Sequence, residues 1–242
     1  MLFLVVAGCG MAGPAMSSPA EPAASASVAL PPPVAGSGSG VLRYVALGDS
    51  YTIGTSVGQA DRWPDQLVAA LGSDAPRLEL VANLGVNGWT SDDVIRGELP
   101  DLARLQPDFI TLLIGVNDVV QGVPEHRYRA NLGSIFDTLL ARLPPNRILV
   151  VTTPDYTVTP AGAGYGDPVR QRSAIASFNG VLREVADARG VTVVDIFDLS
   201  ERAATDRSLV ADDGLHPSGL QYALWVERIE PIVGRLLKGG AP

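Results

Sequence analysis

The chain has 242 residues, of which 46% are hydrophobic, 18% charged and 6% aromatic, and its formal net charge is −8. This composition is typical of a globular protein and excludes a coiled coil, a collagen-like chain and a fully disordered protein. The negative charge argues against a nucleic-acid partner, which requires clustered lysine and arginine. A single cysteine excludes an internal disulfide and a zinc site built from several thiolates.

The first forty residues are predicted to lie outside the folded domain. An apolar run over residues 2–8 ends at Cys9, and 25 of the 31 residues from 10 to 40 are Ala, Gly, Pro or Ser. Such a stretch buries too little apolar surface to offset its conformational entropy, so residues 10–40 are expected to form a disordered linker.

Residues 6–9 (VAGC), within the signal-like segment 1–9, resemble the lipobox of bacterial lipoproteins, in which the cysteine is lipidated. The resemblance implies an extracytoplasmic protein that is anchored to a membrane through Cys9. A secreted protein with a cleaved signal peptide is the first alternative, and a cytoplasmic protein is the second.

Residues 41–242 are predicted to form one α/β domain. Nearly continuous apolar runs, typical of strands covered on both faces, occupy residues 44–47, 78–82, 109–114, 148–151 and 191–196. Between and after them, apolar residues recur at helical spacing over residues 128–143, 175–185 and 225–236. The alternation predicts a three-layer α/β/α sandwich with a five-stranded parallel sheet of flavodoxin-like topology. Ligands of such sheets bind beyond the carboxyl ends of the strands.

Four polar segments follow the first, second, third and fifth apolar runs. They occupy residues 48–51 (GDSY), 83–90 (NLGVNGWT), 115–118 (GVND) and 213–217 (DGLHP), and we call them the first to fourth segments. In this order they resemble the four blocks of the SGNH, or GDSL, esterase and lipase superfamily. The resemblance implies an acylhydrolase that cleaves carboxylic esters through an acyl-serine intermediate. The sequence shows no cluster of metal ligands, so no metal and no cofactor are expected.

The resemblance implies that Ser50 is the nucleophile and His216 its base. A serine hydroxyl is a poor nucleophile and needs an adjacent base. Asp213 precedes His216 by three residues, so its carboxylate can accept from the imidazole and fix the tautomer. The other histidine, His126, has no such partner in sequence and is expected to be a surface residue. The alternative for His216 is a helix-entry residue before Pro217.

The resemblance also implies an oxyanion hole formed by the backbone N–H groups of Ser50 and Gly88 and the side-chain amide of Asn117. A glycine lets a backbone donor approach the substrate closely. The alternatives are that Gly88 is a simple turn residue, with Gly85 in its place, and that Asn117 caps a turn. Asp49 is expected to hold the nucleophile loop by hydrogen bonds.

A second serine, Ser56, lies in residues 54–58 (GTSVG), which match the nucleophile elbow of α/β-hydrolases. An elbow directly follows a strand, whereas the first apolar run ends at Leu47, close to Ser50. Ser56 is therefore not expected to be the nucleophile.

The substrate pocket has three candidate residues. The connection over residues 153–168 is long for a strand–helix loop and carries Tyr156 and Tyr165, which are expected to form a wall or lid. The alternative for this loop is a structural excursion. Trp89 is expected either in the pocket or in core packing.

The sequence leaves the substrate open between a small acyl ester, a lysolipid and an acetylated glycan. A monomer is expected. The alternative from another class of function is a catalytically inactive module that binds glycans or lipids, and the complete set of catalytic residue types argues against it.

Overall fold

The computed structural model describes residues 40–72 and 76–239. The calls on the segment 1–9, on Cys9 and on nearly all of the linker 10–40 lie outside these residues. No helix among the described residues is long and apolar enough to cross a membrane.

The strands of the described residues form one parallel sheet. They are β1 (Val41–Gly48), β2 (Arg77–Asn83), β3 (Phe109–Leu113), β4 (Ile148–Val151) and β5 (Thr192–Val194). Their order is β2-β1-β3-β4-β5, and every neighbouring pair is parallel. This is the flavodoxin-like order. A ligand crevice lies between β1 and β3 in such sheets, because the chain continues from these two strands towards opposite edges of the sheet. The predicted sheet is confirmed.

Helices cover both faces of the sheet. The α-helices of the described residues are α1 (Ser50–Ile53), α2 (Trp63–Ala70), α3 (Ser91–Asp93), α4 (Leu102–Leu105), α5 (Val116–Val120), α6 (Glu125–Leu140), α7 (Pro168–Asp187), α8 (Phe197–Glu201) and α9 (Gly219–Leu237). A π-helical turn (Val94–Glu98) follows α3 directly. Short 3₁₀ turns lie at Gln59–Asp61, Leu99–Asp101, Pro145–Arg147, Tyr156–Val158, Gly162–Tyr165, Arg202–Ala204 and Arg207–Leu209.

The sheet is packed between two helical layers. Helix α2 packs against α9, and α6 packs against α7. The rings of Tyr128 and Phe178 stack at 4.6 Å between α6 and α7, and Tyr222 meets Trp225 edge to face at 5.0 Å within α9. All residues of β3 and β4 are buried, as their continuous apolar runs predict. The strand ends therefore provide a fixed platform for the loops beyond them.

The turn after β1 requires a glycine. Gly48 has φ +148°, and a Cβ there would lie 2.2 Å from the carbonyl oxygen of Leu113 and 2.4 Å from Oγ1 of Thr52. Any larger residue would push β1 away from the end of β3. Helix α1 therefore begins directly beyond the sheet, and its first residue is Ser50.

Candidate active site

Ser50 lies at the start of α1, where Asp49 caps the helix. The Asp49 carboxylate oxygen Oδ1 accepts a hydrogen bond of 3.0 Å from the backbone N–H of Tyr51. The predicted role of Asp49 in holding this loop is confirmed. Ser50 itself is only 6% exposed. Buried groups surround it on the side of the strands, and its opposite side faces a cavity.

A cavity of about 290 Å³ lies above Ser50 at the carboxyl ends of the strands. Loops after all five strands contribute to it. Its lining residues are Ser50, Tyr51, Asn87, Gly88, Val116, Asn117, Val120, Tyr156, Tyr165, Leu215 and His216. The structure thus brings together the predicted nucleophile, base and oxyanion-hole residues. The lining includes no carboxylate, lysine or arginine from the described residues.

The Asp213 carboxylate is saturated with hydrogen bonds. Its Oδ1 accepts from the backbone N–H groups of Leu215 and His216, both at 2.9 Å. Its Oδ2 is 2.6 Å from Nδ1 of His216 and accepts from the Ser56 hydroxyl at 2.7 Å. Partial burial opposes the charge, but these hydrogen bonds outweigh it and hold the pKa of Asp213 well below its usual value.

The ionised state of Asp213 fixes the tautomer of His216. An ionised carboxylate only accepts hydrogen bonds, so the proton between the two side chains is on Nδ1 of His216. Nε2 of the neutral ring then carries a lone pair. His216 also lines the cavity, so this ring can act there as a base.

Asn117 links the third segment to the second. It is the second residue of α5, and its Nδ2 donates a 2.9 Å hydrogen bond to the carbonyl oxygen of Trp89. The residue that caps α5 is Gly115, so the side chain of Asn117 does not cap this turn. A side-chain amide has two N–H groups. One of them holds the second segment, which leaves the other for the cavity that Asn117 lines.

The two candidate glycines of the second segment have different surroundings. Gly85 donates its N–H to Oδ1 of Asn83 at 3.2 Å. A Cβ on Gly85 would lie 2.7 Å from both the Asp49 carbonyl oxygen and the Ile53 nitrogen. Gly88 has φ +80° with open space where a Cβ would be, and it lines the cavity. Gly85 therefore packs against α1, and Gly88 faces the site.

The long loop over residues 153–168 supplies one wall of the cavity. Tyr156 and Tyr165 both line it, with ring centroids 5.6 Å apart in an edge-to-face arrangement. Trp89 is not among the residues that line the cavity. Its indole covers Gly97 in the π-helical turn, where a Cβ would lie 2.3 Å from the ring.

A pair of carboxyl groups holds the turn over residues 48–50, which carries Ser50 and which we call the nucleophile turn. Asp49 and Glu98 are almost fully buried, and Oε2 of Glu98 accepts a 2.9 Å hydrogen bond from the backbone N–H of Gly48. Within the described residues, Oδ2 of Asp49 and Oε1 of Glu98 have no hydrogen-bond partner. Burial raises the pKa of Asp49 to about 8 and that of Glu98 to about 9. Burial therefore favours the protonated form of both groups.

The positions of three further residues, His126, Ser56 and Glu98, bear on the candidate site. His126 lies exposed on α6, as predicted. Ser56 is exposed and does not line the cavity, yet its hydroxyl contacts Asp213, a contact the sequence reasoning missed. Glu98 was missed as well, because nothing in its sequence context signals burial. In residues 40–72 and 76–239, no group of three or more potential ligands is arranged to hold a metal ion.

A serine, a histidine–carboxylate pair and an amide around one cavity, on a flavodoxin-like sheet, define a hydrolase-type site. Residues 46–224 match the model of the GDSL-like Lipase/Acylhydrolase family. The match covers most of the chain, which therefore belongs to this family of ester hydrolases. The family resemblance of the four segments is confirmed.

Solved structures show the same fold at low sequence identity. An acetylxylan esterase from Geobacillus stearothermophilus, Axe2, is 19% identical, with 80% of this chain and 94% of that chain covered and a TM-score of 0.63. A lipase/acylhydrolase from Enterococcus faecalis is 21% identical, with 80% and 96% covered and a TM-score of 0.64. LAE5, an alpha/beta hydrolase from the metagenome of Lake Arreo, is 21% identical, with 81% and 96% covered and a TM-score of 0.63. No curated protein matches the chain at a significant level.

Proposed function

We propose that this family member is a serine esterase that hydrolyses a carboxylic ester through an acyl-enzyme on Ser50. One observation carries the proposal: Ser50, Gly88, Asn117 and His216 line one cavity, while Nδ1 of His216 pairs with ionised Asp213. Each group required for acyl transfer is then present at the site.

In the proposed acylation step, Oγ of Ser50 attacks the ester carbonyl carbon and Nε2 of His216 takes the hydroxyl proton. Asp213 stabilises the resulting imidazolium through Nδ1–H. The tetrahedral oxyanion accepts hydrogen bonds from the N–H groups of Ser50 and Gly88 and from the second amide N–H of Asn117. Among the described residues, neither of these two backbone N–H groups donates to a protein acceptor, which supports this assignment. The intermediate collapses, and His216 gives its proton to the leaving alcohol.

In the proposed deacylation step, His216 takes a proton from water, which attacks the acyl carbon. The same oxyanion hole receives the second tetrahedral intermediate. Its collapse releases the carboxylic acid, and the proton returns from His216 to Oγ of Ser50. Apart from water, both steps use only Ser50, His216, Asp213 and the proposed oxyanion-hole donors.

The cavity supports a small neutral ester as substrate. Its apolar wall comes from Val116, Val120, Tyr156, Tyr165 and Leu215, and the described lining offers no acidic or basic partner for a charged headgroup. Its volume of about 290 Å³ is at the lower end for ligand sites. We therefore place short acyl esters, acetyl groups on glycans included, ahead of lysolipids.

A fluorophosphonate probe tests the proposed nucleophile directly. The full chain should be labelled, Ser50→Ala should abolish the label, and Ser56→Ala should keep it. A folded wild-type protein that binds acylated glycans or lipids but takes no label would instead support an inactive binding module. A series of p-nitrophenyl esters from acetyl to palmitoyl, run with acetylated xylooligosaccharides, tests the substrate class. The highest kcat/KM is expected at the short acyl groups.

For the N-terminal segment, we propose lipidation at Cys9 and anchoring to a bacterial membrane. The support is the lipobox-like sequence at residues 6–9 and the composition of residues 10–40. The full chain expressed in a bacterial host should partition with membranes, and Cys9→Ser should release it. Soluble wild-type protein in the cytoplasm would contradict this proposal and leave the enzymatic one untouched.

A further inference from the structure

We infer that Ser56 is a positioning residue for Asp213, the proposed catalytic carboxylate, which also pairs with His216. The inference rests on the proposed function. Its basis is the 2.7 Å hydrogen bond from Oγ of Ser56 to Oδ2 of Asp213. That same oxygen is 2.6 Å from Nδ1 of His216.

The hydrogen bonds of Asp213 divide into local and distant ones. Oδ1 accepts only from backbone N–H groups two and three residues further along the same loop. These bonds fix one oxygen but leave the carboxylate able to pivot about it. Ser56 is 157 residues away in sequence and belongs to the turn that follows α1. Its hydroxyl ties Oδ2 to the element that carries Ser50, so the oxygen is held in line with Nδ1 of His216.

The backbone at Ser56 supports a specific role. Ser56 has φ +68°, and Gln106 is the only other non-glycine residue of the described part with positive φ. A side chain in this region is costly, and such a conformation persists where its surroundings enforce it. The neighbouring Thr55 donates its hydroxyl to Oδ1 of Asn87 at 2.6 Å. Residues 55 and 56 thus connect the turn after α1 to both the second and the fourth segment.

The first test separates the effect of the Ser56 hydroxyl from the effect of the positive φ at this residue. Ser56→Ala should lower kcat about three- to tenfold with KM unchanged, the size expected for one hydrogen bond. Ser56→Gly should give the same loss, although glycine suits the positive φ better. Ser177→Ala is the matched control, because the Ser177 hydroxyl also donates to a carboxylate, Oε2 of Glu125 at 2.6 Å, but on the exposed surface between α6 and α7. The control should keep wild-type kcat.

A double-mutant cycle tests whether Ser56 acts through Asp213. In the Asp213→Ala background, Ser56→Ala should cause no further loss of kcat, because the acceptor is absent. The inference would be overturned if Ser56→Ala kept kcat within twofold of wild type. It would also be overturned if Ser56→Ala lowered kcat by the same factor in the wild-type and Asp213→Ala backgrounds. The proposed function fails in a different way, since it falls if Ser50→Ala and Asp213→Ala both keep wild-type activity.

Discussion

Two regions next to Ser50 hold carboxyl groups in opposite states. In the fourth segment, the partly exposed Asp213 accepts four hydrogen bonds and is ionised. Beneath the nucleophile turn, Asp49 and Glu98 are buried, and within the described structure each has one oxygen without a partner. Burial raises the pKa of both and favours their protonated form. The number of donors aimed at a carboxyl group, together with its burial, decides the charge that it carries.

The difference matches what each region has to do. In the proposed mechanism, a carboxylate beside His216 has to be charged to stabilise the imidazolium. A charged carboxylate buried beneath Ser50 would be energetically costly, and its electrostatic field would act on the serine side chain. A neutral Glu98 still accepts the N–H of Gly48, and Asp49 still accepts that of Tyr51. The buried pair therefore positions the nucleophile turn without adding charge to the site.

The largest effect is expected from a change to Asp213, the ionised carboxylate of this comparison. Asp213→Asn should lower kcat by about 10⁴-fold, because an amide N–H at that position favours the wrong tautomer of His216. Ester hydrolysis at saturating substrate measures the loss. Asp212→Asn, in the neighbouring exposed residue, is the control and should stay within twofold of wild type. Retention of a tenth of the wild-type kcat by Asp213→Asn would refute the assignment.

The next effect concerns the amide across the cavity. Asn117→Ala should lower kcat by about 10²–10³-fold with little change in KM, because the oxyanion forms only as Ser50 attacks. Asn117→Asp should be at least as damaging, since it sets an acceptor against both the oxyanion and the carbonyl of Trp89. Thermal melts are the control for the lost bond to Trp89. A nearly intact kcat with lowered Tm would remove Asn117 from the oxyanion hole.

The sequence predicted the parts of the molecule that follow from local patterns. Continuous apolar runs predicted all five strands, because strands covered on both faces leave that pattern. The alternation of these runs with helical patterns predicted that the sheet is parallel. The resemblance of the four segments to the family's blocks implied the cavity residues Ser50, Gly88, Asn117 and His216, and parallel strands bring the ends that carry these segments to one edge.

The remaining parts depend on contacts that have no local pattern. Glu98 lies in a stretch typical of an exposed helix, and its burial follows only from the packing of the π-helical turn beneath β1. Ser56 lies in a motif that matches a different fold, and its partner is 157 residues away. Trp89 follows a cavity glycine directly, but its ring turns towards Gly97. Side-chain direction after a positive φ cannot be read from neighbouring residue types.

The buried pair should give the enzyme a stability that declines in alkali. Folded Asp49 and Glu98 keep protons that their unfolded counterparts release above about pH 4, because burial raises both pKa values. The unfolded state therefore binds fewer protons between about pH 4 and 9, and stability falls as pH rises through that range. The lowered pKa of Asp213 acts in the opposite sense, with stability lost as pH falls below its ordinary value. Calorimetric Tm values from pH 5 to 9 should decline by several degrees.

The smallest expected effect isolates the contribution of Glu98 to this decline of Tm with pH. Glu98→Gln keeps a carbonyl oxygen for the N–H of Gly48 and replaces a protonated hydroxyl with an amide that does not titrate, so Tm should fall less between pH 6 and 9. At pH 6 the variant should keep wild-type kcat within a few-fold, because the neutral side chain is already the native state there. Glu79→Gln, in an exposed residue of β2, should leave the slope unchanged. An identical slope for Glu98→Gln and wild type would mean that Glu98 is ionised in the folded enzyme. The contrast between the two regions would then rest on Asp49 alone.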